Sequence, residues 1–266
     1  MSVVDATALR ASLVAPSGPY AALDVVPSTG STNADLAAAA VAGAADRTVL
    51  IAERQTAGRG RRGREWVSPP AGVYLSVLLR PDPVPAARLG GLAVVAGLAL
   101  VRTAAGAGVA AELKWPNDLL AGAGKCAGVL SEAVPGGVVV GIGLNVAALP
   151  AEVPPGPGGL PATSLEQSGA GRLDRTAVAG ALLAAFAEYE TRWRAADGDL
   201  AAAGLLDEYR RACRTLGRRV RVELPDGELT GTATGVDAGG ELVVDTDGGT
   251  RRTLSAGDVV HLRATP

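Results

Sequence analysis

The alternation of apolar and polar positions changes character several times along the chain, and each change marks an element. Residues 5–15 read as a short helix and Ala21–Val26 as a strand. Ser31-Thr32-Asn33 stands before an Ala-rich stretch, Ala34–Ala45, a pattern that predicts a helix with a polar N-cap. Thr48–Glu53 is an apolar strand, Ala57–Pro70 a loop dense in Gly, Arg and Pro, and Val73–Leu79 another strand. Ala86–Ala105 predicts one long, mostly apolar helix. Its most apolar run, Leu89–Val101, ends at Arg102, short of the roughly 20 residues that a membrane span needs. From Ala111 to Val146 the texture becomes β-like. Glu112–Trp115, Cys126–Glu132 and Val138–Leu144 are separated only by turn signals, which leaves no room for crossover helices. These strands must pair antiparallel, and the fold class is α+β: a mixed or antiparallel sheet flanked by helices.

After the Pro/Gly-rich loop Pro150–Pro161, Asp174 is placed to cap a helix running to about Ala196, and a second helix covers Leu200–Arg214. Beyond Gly217 the pattern is all β. Arg219–Leu224, Glu228–Val236, Glu241–Asp245 and Arg251–Leu254 are joined by the turns Pro225-Asp226-Gly227, Ala238-Gly239-Gly240 and Asp247-Gly248-Gly249. About 50 residues of tight meander resemble a small SH3-like β-barrel. A boundary near Leu216 divides a larger domain, residues 1–215, from a C-terminal one, residues 216–266.

Composition narrows the chemistry. The chain has 266 residues, 48% hydrophobic, with a net charge of −2, so no global basic field draws it to nucleic acid or anionic lipid. Two cysteines, Cys126 and Cys213, form neither a CxxC nor a zinc pattern, and no secretory signal is evident. A reduced, cytoplasmic setting is expected. The single histidine, His261, makes a catalytic triad, a Cys/His dyad or a His-ligated metal improbable. Lysine occurs only as Lys114 and Lys125, asparagine as Asn33, Asn117 and Asn145, and glutamine as Gln55 and Gln167. Scatter explains so few residues equally well, but their positions are worth inspecting.

Five short constellations can carry chemistry. Gly58-Arg59-Gly60-Arg61-Arg62-Gly63-Arg64 satisfies GxGxxG as a bare pattern, but Pro69-Pro70 follows and no helix opens there, so a dinucleotide fingerprint is excluded. Free backbone N–H groups and several guanidinium forks suit an anion with many oxygens, such as a triphosphate or acyl phosphate; a solvated basic loop is the plain alternative. Gly122-Ala123-Gly124-Lys125-Cys126 is not a Walker A loop, because Cys126 and Leu119 stand where Ser/Thr and Gly are required. Lys125 nevertheless follows a Gly-rich turn, where a compact cation can reach a carboxylate or phosphate. Lys114-Trp115-Pro116-Asn117-Asp118 puts the other lysine in the same meander. Gly30-Ser31-Thr32-Asn33, beside Gln55, offers hydroxyl and amide groups for a neutral ring such as a urea, besides capping a helix. In Gly141-Ile142-Gly143-Leu144-Asn145, glycines inside a strand mark close approach by a ligand or another backbone.

In this order, GSTN, Gln55 with GRGRRGR, KWPND, Gly124-Lys125 followed by Ala127-Gly128, and GxGxN resemble bacterial biotin protein ligases. Ala162-Thr163-Ser164-Leu165 and the small β domain fit too, and the resemblance covers roughly residue 20 to the end. It implies the ligase fold related to class II aminoacyl-tRNA synthetases, and a two-step reaction: biotin and ATP give biotinyl-5′-AMP, and biotin then passes to a lysine of a biotin carboxyl carrier protein. It also implies the site. Ser31, Thr32, Asn33 and Gln55 line the biotin head, and Trp66 walls the valeryl chain. Arg59, Gly60 and Arg61 close over the biotin carboxylate and the phosphates. Arg64, Asn117 and Asn145 serve ATP. Lys125 bridges carboxylate and α-phosphate as the catalytic residue, with Arg61 and Asp118, and Asp118 orients Mg²⁺ or the incoming lysine. The arginine loop is expected to be mobile when empty. The expected partners are carrier domains of acetyl-CoA, acyl-CoA and pyruvate carboxylases, with the protein a monomer or weak homodimer. The stretch before Gly30 is too short for a helix-turn-helix, so no operator binding is expected. A lipoate or octanoyl ligase and an inactive biotin sensor are the alternatives.

Overall fold

The computed structural model describes residues 3–151, 153–156, 159–224, 227–255 and 257–262. The Pro150–Pro161 loop and the Pro225-Asp226-Gly227 turn fall partly outside them. The elements follow the order α1 (Ala6–Leu13), β1 (Ala22–Val26), α2 (Thr32–Val41), β2 (Thr48–Ala52), β3 (Gly72–Leu79), α3 (Gly91–Gly106), β4 (Ala111–Lys114), β5 (Asp118–Ala121), β6 (Gly124–Val134) and β7 (Gly137–Asn145). Then come α4 (Arg175–Ala195), α5 (Leu205–Ala212), β8 (Arg219–Leu224), β9 (Gly227–Val236), β10 (Leu242–Thr246), β11 (Arg251–Leu254) and β12 (Asp258–His261).

The larger sheet has the order β1-β2-β3-β7-β6-β5-β4. Only β1 and β2 run parallel, joined through α2, while the other neighbours are antiparallel. The sheet is covered on both faces, which is why β3 is buried along its whole length. Val73, Leu75, Val77 and Leu79 point into the main core with Leu92, Val95, Leu182 and Phe186 from α3 and α4. Leu78 points the opposite way and packs with Leu36 and Ala40 of α2. Ser76 shares that second face by strand alternation, and it is this face that carries the cleft. The helical stretch Ala86–Gly106, of which α3 is the larger part, is long and apolar enough to cross a membrane, yet most of it is buried in the core.

The second sheet, β11-β10-β9-β8-β12, is antiparallel throughout, in keeping with a small SH3-like barrel.

Several expected elements differ in detail. The 86–105 helix breaks at Gly90 into a 3-10 turn and α3. Helix α5 begins only at Leu205, after Gly204 in the left-handed region (φ 69°). Asp174 caps α4 as expected, accepting from the Thr176 amide. Ser31 does occupy the N-cap of α2, but its hydroxyl makes no capping bond. Two strands went unread: β5, whose few residues sit behind the Pro116-Asn117 turn, and β12, four residues that gain their partner only across the barrel, from β8.

Candidate active site

A cavity of about 480 Å³ opens on the α2 face of the larger sheet, within the roughly 300–1,000 Å³ usual for small-ligand sites. All the expected site residues line it: Ser31, Thr32, Asn33, Gln55, Arg59, Gly60, Arg61, Arg64, Trp66, Asn117, Asp118, Lys125 and Asn145. They are not equivalent, and the cavity has two chemically distinct ends.

The first end is lined by hydroxyl and amide groups and is internally bonded, with one carboxylate, Glu132, behind them. Gln55 Oε1 accepts from the Thr32 amide (2.9 Å) and hydroxyl (3.1 Å), while its Nε2 donates to Ser68 Oγ (3.1 Å). The Ser76 hydroxyl, fully buried, lies 2.7 Å from Thr32 Oγ1 and 2.6 Å from Asn33 Oδ1. Asn33 Nδ2 donates to Leu130 O and to Glu132 Oε2. Asn33 therefore fixes the wall rather than offering a free amide to a ligand. The Ser31 hydroxyl, which caps nothing, is left for the cavity. Ser76 and Glu132 belong to no motif, and sequence reasoning missed both.

The glycines of β7 explain themselves here. A Cβ on Gly141 would collide with the Asn33 amide, and one on Gly143 would lie 2.5 Å from Trp66 Cε2. Gly128, paired with Gly143 across β6 and β7, leaves the same indole its room. The close approach is thus by protein side chains. Trp66 forms the wall between the two ends, with its Nε1 buried and lacking an acceptor.

The second end is ionic. Lys125 Nζ lies 2.6 Å from Asp118 Oδ1 and 5.3 Å from the centre of the Trp66 ring. Lys114 Nζ lies 3.8 Å from the other carboxylate oxygen. A register shift between β5 and β6 aims Lys125 here. Leu119 pairs Ala127 but Leu120 pairs Lys125, so Cys126 is the extra residue of a bulge. The bulge reverses the alternation and turns Lys125 to the same side as Gly128, while Cys126 enters the core. Burial lowers the Lys114 ammonium below its ordinary value, against the opposing pull of Asp118. Asn117 ties the floor down: its Nδ2 donates to Val129 O, and its main-chain carbonyl accepts from the Val129 amide. Asn145 Nδ2 donates to Thr163 O, which leaves its carbonyl oxygen as the group to offer.

The arginine loop forms a 3-10 turn at Arg61–Gly63 and reaches the second sheet. Arg61 Nη1 donates to Gly257 O (3.2 Å), with Asn117 Oδ1 at 3.5 Å. Arg64 lines the cavity, but both of its terminal nitrogens bond Asp258. Burial pushes the Asp258 carboxyl up, yet the Arg64 and Arg62 bonds outweigh it and hold it below its ordinary value.

Asp118 offers Mg²⁺ no all-protein cradle, and a Mg²⁺ carried by a nucleotide needs only one or two carboxylates beside the phosphates. Both carboxylate oxygens already face ammonium groups, and among the described residues no three His, Cys, Asp or Glu side chains converge as a metal cradle. Asp118 lies between the two lysine ammonium groups.

Residues 25–147 match the biotin/lipoate A/B protein ligase family, and residues 215–262 match the biotin protein ligase C-terminal domain. The biotin--[acetyl-CoA-carboxylase] ligase of Mycobacterium tuberculosis is 46% identical over 98% of this chain and 96% of its own length. The bifunctional ligase/repressor BirA of Bacillus subtilis is 34% identical over 88% of this chain and 71% of its own. The Aquifex aeolicus biotin protein ligase solved in complex with biotin and ATP superimposes with a TM-score of 0.76, at 28% identity, covering 92% of this chain and all of that one. The C-terminal match and the near full-length relative are both specific to biotin, and the chain belongs to the biotin protein ligase family.

Proposed function

We propose that the protein activates biotin with ATP and passes the biotinyl group to a lysine of the biotin carrier domain of a carboxylase. The observation that carries the reading is one cavity with a neutral, hydrogen-bonding end and a cationic end, joined across Trp66 and Lys125. A bicyclic urea matches the first end, where the Ser31 hydroxyl and the Thr32–Gln55 network are in place. An aliphatic tail ending in a carboxylate would run along Trp66 and deliver its charge to Lys125.

In the first step a biotin carboxylate oxygen attacks the α-phosphorus of ATP. A C(O)–O–P linkage forms, the bond from α-phosphorus to the bridging oxygen breaks, and pyrophosphate leaves with the electron pair. Charge on the non-bridging oxygens grows as phosphorus becomes five-coordinate, and Lys125 and Arg61 are the cations in place to meet it. Asp118 holds the Lys125 ammonium at the cavity until those anions arrive. In the second step a carrier lysine, having lost its ammonium proton, attacks the acyl carbon; the acyl C–O bond breaks and AMP departs. No enzyme nucleophile is required, which suits a chain with one histidine and two buried free cysteines. Those thiols also support a reducing, cytoplasmic setting. Mg²⁺ would arrive on the nucleotide and shield its phosphates, since among the described residues no three His, Cys, Asp or Glu side chains converge to hold it.

Mass spectrometry of a biotin carrier domain incubated with the protein, ATP, Mg²⁺ and either biotin or lipoate tests this. A biotin adduct on one lysine is the expected result. A lipoyl adduct in its place, or tight biotin binding with no pyrophosphate release, would overturn it.

A further inference from the structure

We propose that Glu132 is a positioning residue for the biotin head, an inference that rests on the ligase reading. Acting through Asn33 and Ser76, its carboxylate directs the hydrogen bonds of that end so that Thr32 turns an acceptor, not a donor, towards the cavity. Glu132 alternates along β6 with Gly128 and Leu130, which line the cavity, but lies beyond the lining itself. Asn33 reaches it from the first turn of α2. The Asn33 amide lies across a row of cross-strand neighbours, Ser76, Gly141 and Leu130 on β3, β7 and β6. Gly141 has no side chain to lift it off, so the two ends of the amide meet different partners.

The direction starts from Glu132. A carboxylate only accepts, whereas an amide or hydroxyl in its place could turn and donate. Glu132 Oε2 takes one Asn33 Nδ2 proton at 2.6 Å, a charge-assisted bond, and Leu130 O takes the other at 3.2 Å. Among the described residues Glu132 has no cation partner, so an ion pair does not account for the carboxylate. With both amide protons engaged, Asn33 Oδ1 is the end that faces Ser76 Oγ, at 2.6 Å. Ser76 is fully buried and has one proton, which that contact claims. Towards Thr32 Oγ1, 2.7 Å away, the Ser76 oxygen can then only accept. Thr32 gives its hydroxyl proton to Ser76 in preference to Gln55 Oε1, at the longer distance of 3.1 Å. Thr32 Oγ1 is left with lone pairs for a ligand, and the acceptor Gln55 Oε1 stands beside it. A ring N–H satisfies them; a ring oxygen in its place meets two acceptors.

Calorimetry of the full protein with biotin and with its two carbamate analogues, each with one ring N–H replaced by oxygen, tests the direction. The unaltered protein should prefer biotin to at least one analogue about a hundredfold or more. Glu132→Ala frees the Asn33 amide to turn and the Ser76 proton to serve Thr32. The preference should then narrow about tenfold, and the KM for biotin should rise with a smaller change in kcat. Glu132→Gln can still accept at Oε1 and should recover most of the loss. Ser76→Ala breaks the same chain, so its effect and that of Glu132→Ala should not multiply. A purely structural role would weaken biotin and the analogues alike. No preference in the unaltered protein, an unchanged one in Glu132→Ala, a Gln variant no better than the Ala variant, or losses that multiply would overturn the proposal. With only three asparagines and two glutamines in the chain, the Asn33 side-chain amide can also be followed by NMR without ligand. Its resonances should move upfield in Glu132→Gln, and unmoved resonances decide against the proposal if Glu132→Ala loses its thermal transition. Resonances that move in a protein that binds no biotin would leave the Glu132–Asn33 hold standing and remove the ligase reading instead.

Discussion

The two ends of the cleft meet the same difficulty, polar atoms beneath a protein surface, in opposite ways. Around α2 the partners are neutral or fixed: Thr32, Asn33, Gln55, Ser68, Ser76 and Glu132 bond one another in a closed set. Around the arginine loop the partners are ions: Lys114 and Lys125 share Asp118, and Arg62 and Arg64 share Asp258. A closed set of mutual hydrogen bonds has one low-energy arrangement and recognises shape. An ion pair can exchange one carboxylate for another anion of similar geometry, so the cationic end can rearrange as phosphate arrives and departs. The cleft thus joins a rigid template to an exchangeable charge array, with Trp66 between them.

The sharpest way to break this contrast is at Lys125. Lys125→Ala should slow biotinyl-AMP formation by about 10²–10³-fold, the usual effect of removing a group that meets developing charge. Biotin binding should change far less. Pyrophosphate release measures the first and calorimetry the second; adenylate formed at the normal rate would remove Lys125 from its role. Next in size is the divide itself. Gly143→Ala would put a methyl 2.5 Å from Trp66 Cε2 and force the indole to move, at a cost of about 1–3 kcal/mol. Biotin affinity should fall accordingly, and ATP affinity less. Equal losses for both ligands would mean that Trp66 does not separate the ends.

A smaller change tests the rigid end alone. Ser76→Ala removes the hydroxyl beneath Thr32 and Asn33, whose single proton those two oxygens compete for, a loss of about 1–2 kcal/mol in folding stability. Denaturant titration should show it. The KM for biotin should rise while that for ATP holds, and a shift in ATP instead would contradict the division.

That contrast was only half legible in the sequence. The cationic end announced itself, because clustered arginines and both of the chain's lysines stand out against an Ala, Gly and Val background. Gln55 and the 30–33 segment were legible for the same reason. Ser76 and Glu132 were not: each is an ordinary residue on an otherwise unremarked strand, and only the register of β3, β7 and β6 brings them to Asn33. The aim of Lys125 was hidden as well, since a bulge at Cys126 is a property of pairing with β5, itself unread. Asp258 shows the limit most clearly. It starts a four-residue strand almost two hundred positions from Arg64, and no local pattern connects them.

The field of the cationic end also reaches its far side, where the smallest effect is expected. His261 on β12 lies 3.1 Å from Thr215 Oγ1, which itself accepts from the Trp115 amide behind Lys114. Burial lowers its imidazole to about 4, with Lys114, Arg218 and Arg214 adding to the shift. In the unfolded chain the ring titrates near its ordinary value of 6.5. Between those values the unfolded state binds a proton that the native state refuses, so stability is intact above about 6.5 and declines as pH falls toward about 4. Solvent reaches the partly exposed ring, which reduces the loss to about 1 kcal/mol. His261→Gln keeps a hydrogen-bonding side chain without the titration, so its denaturation midpoint should fall less than that of the unaltered protein between pH 7 and pH 5. Parallel curves for the two proteins would show that folding does not shift the His261 imidazole.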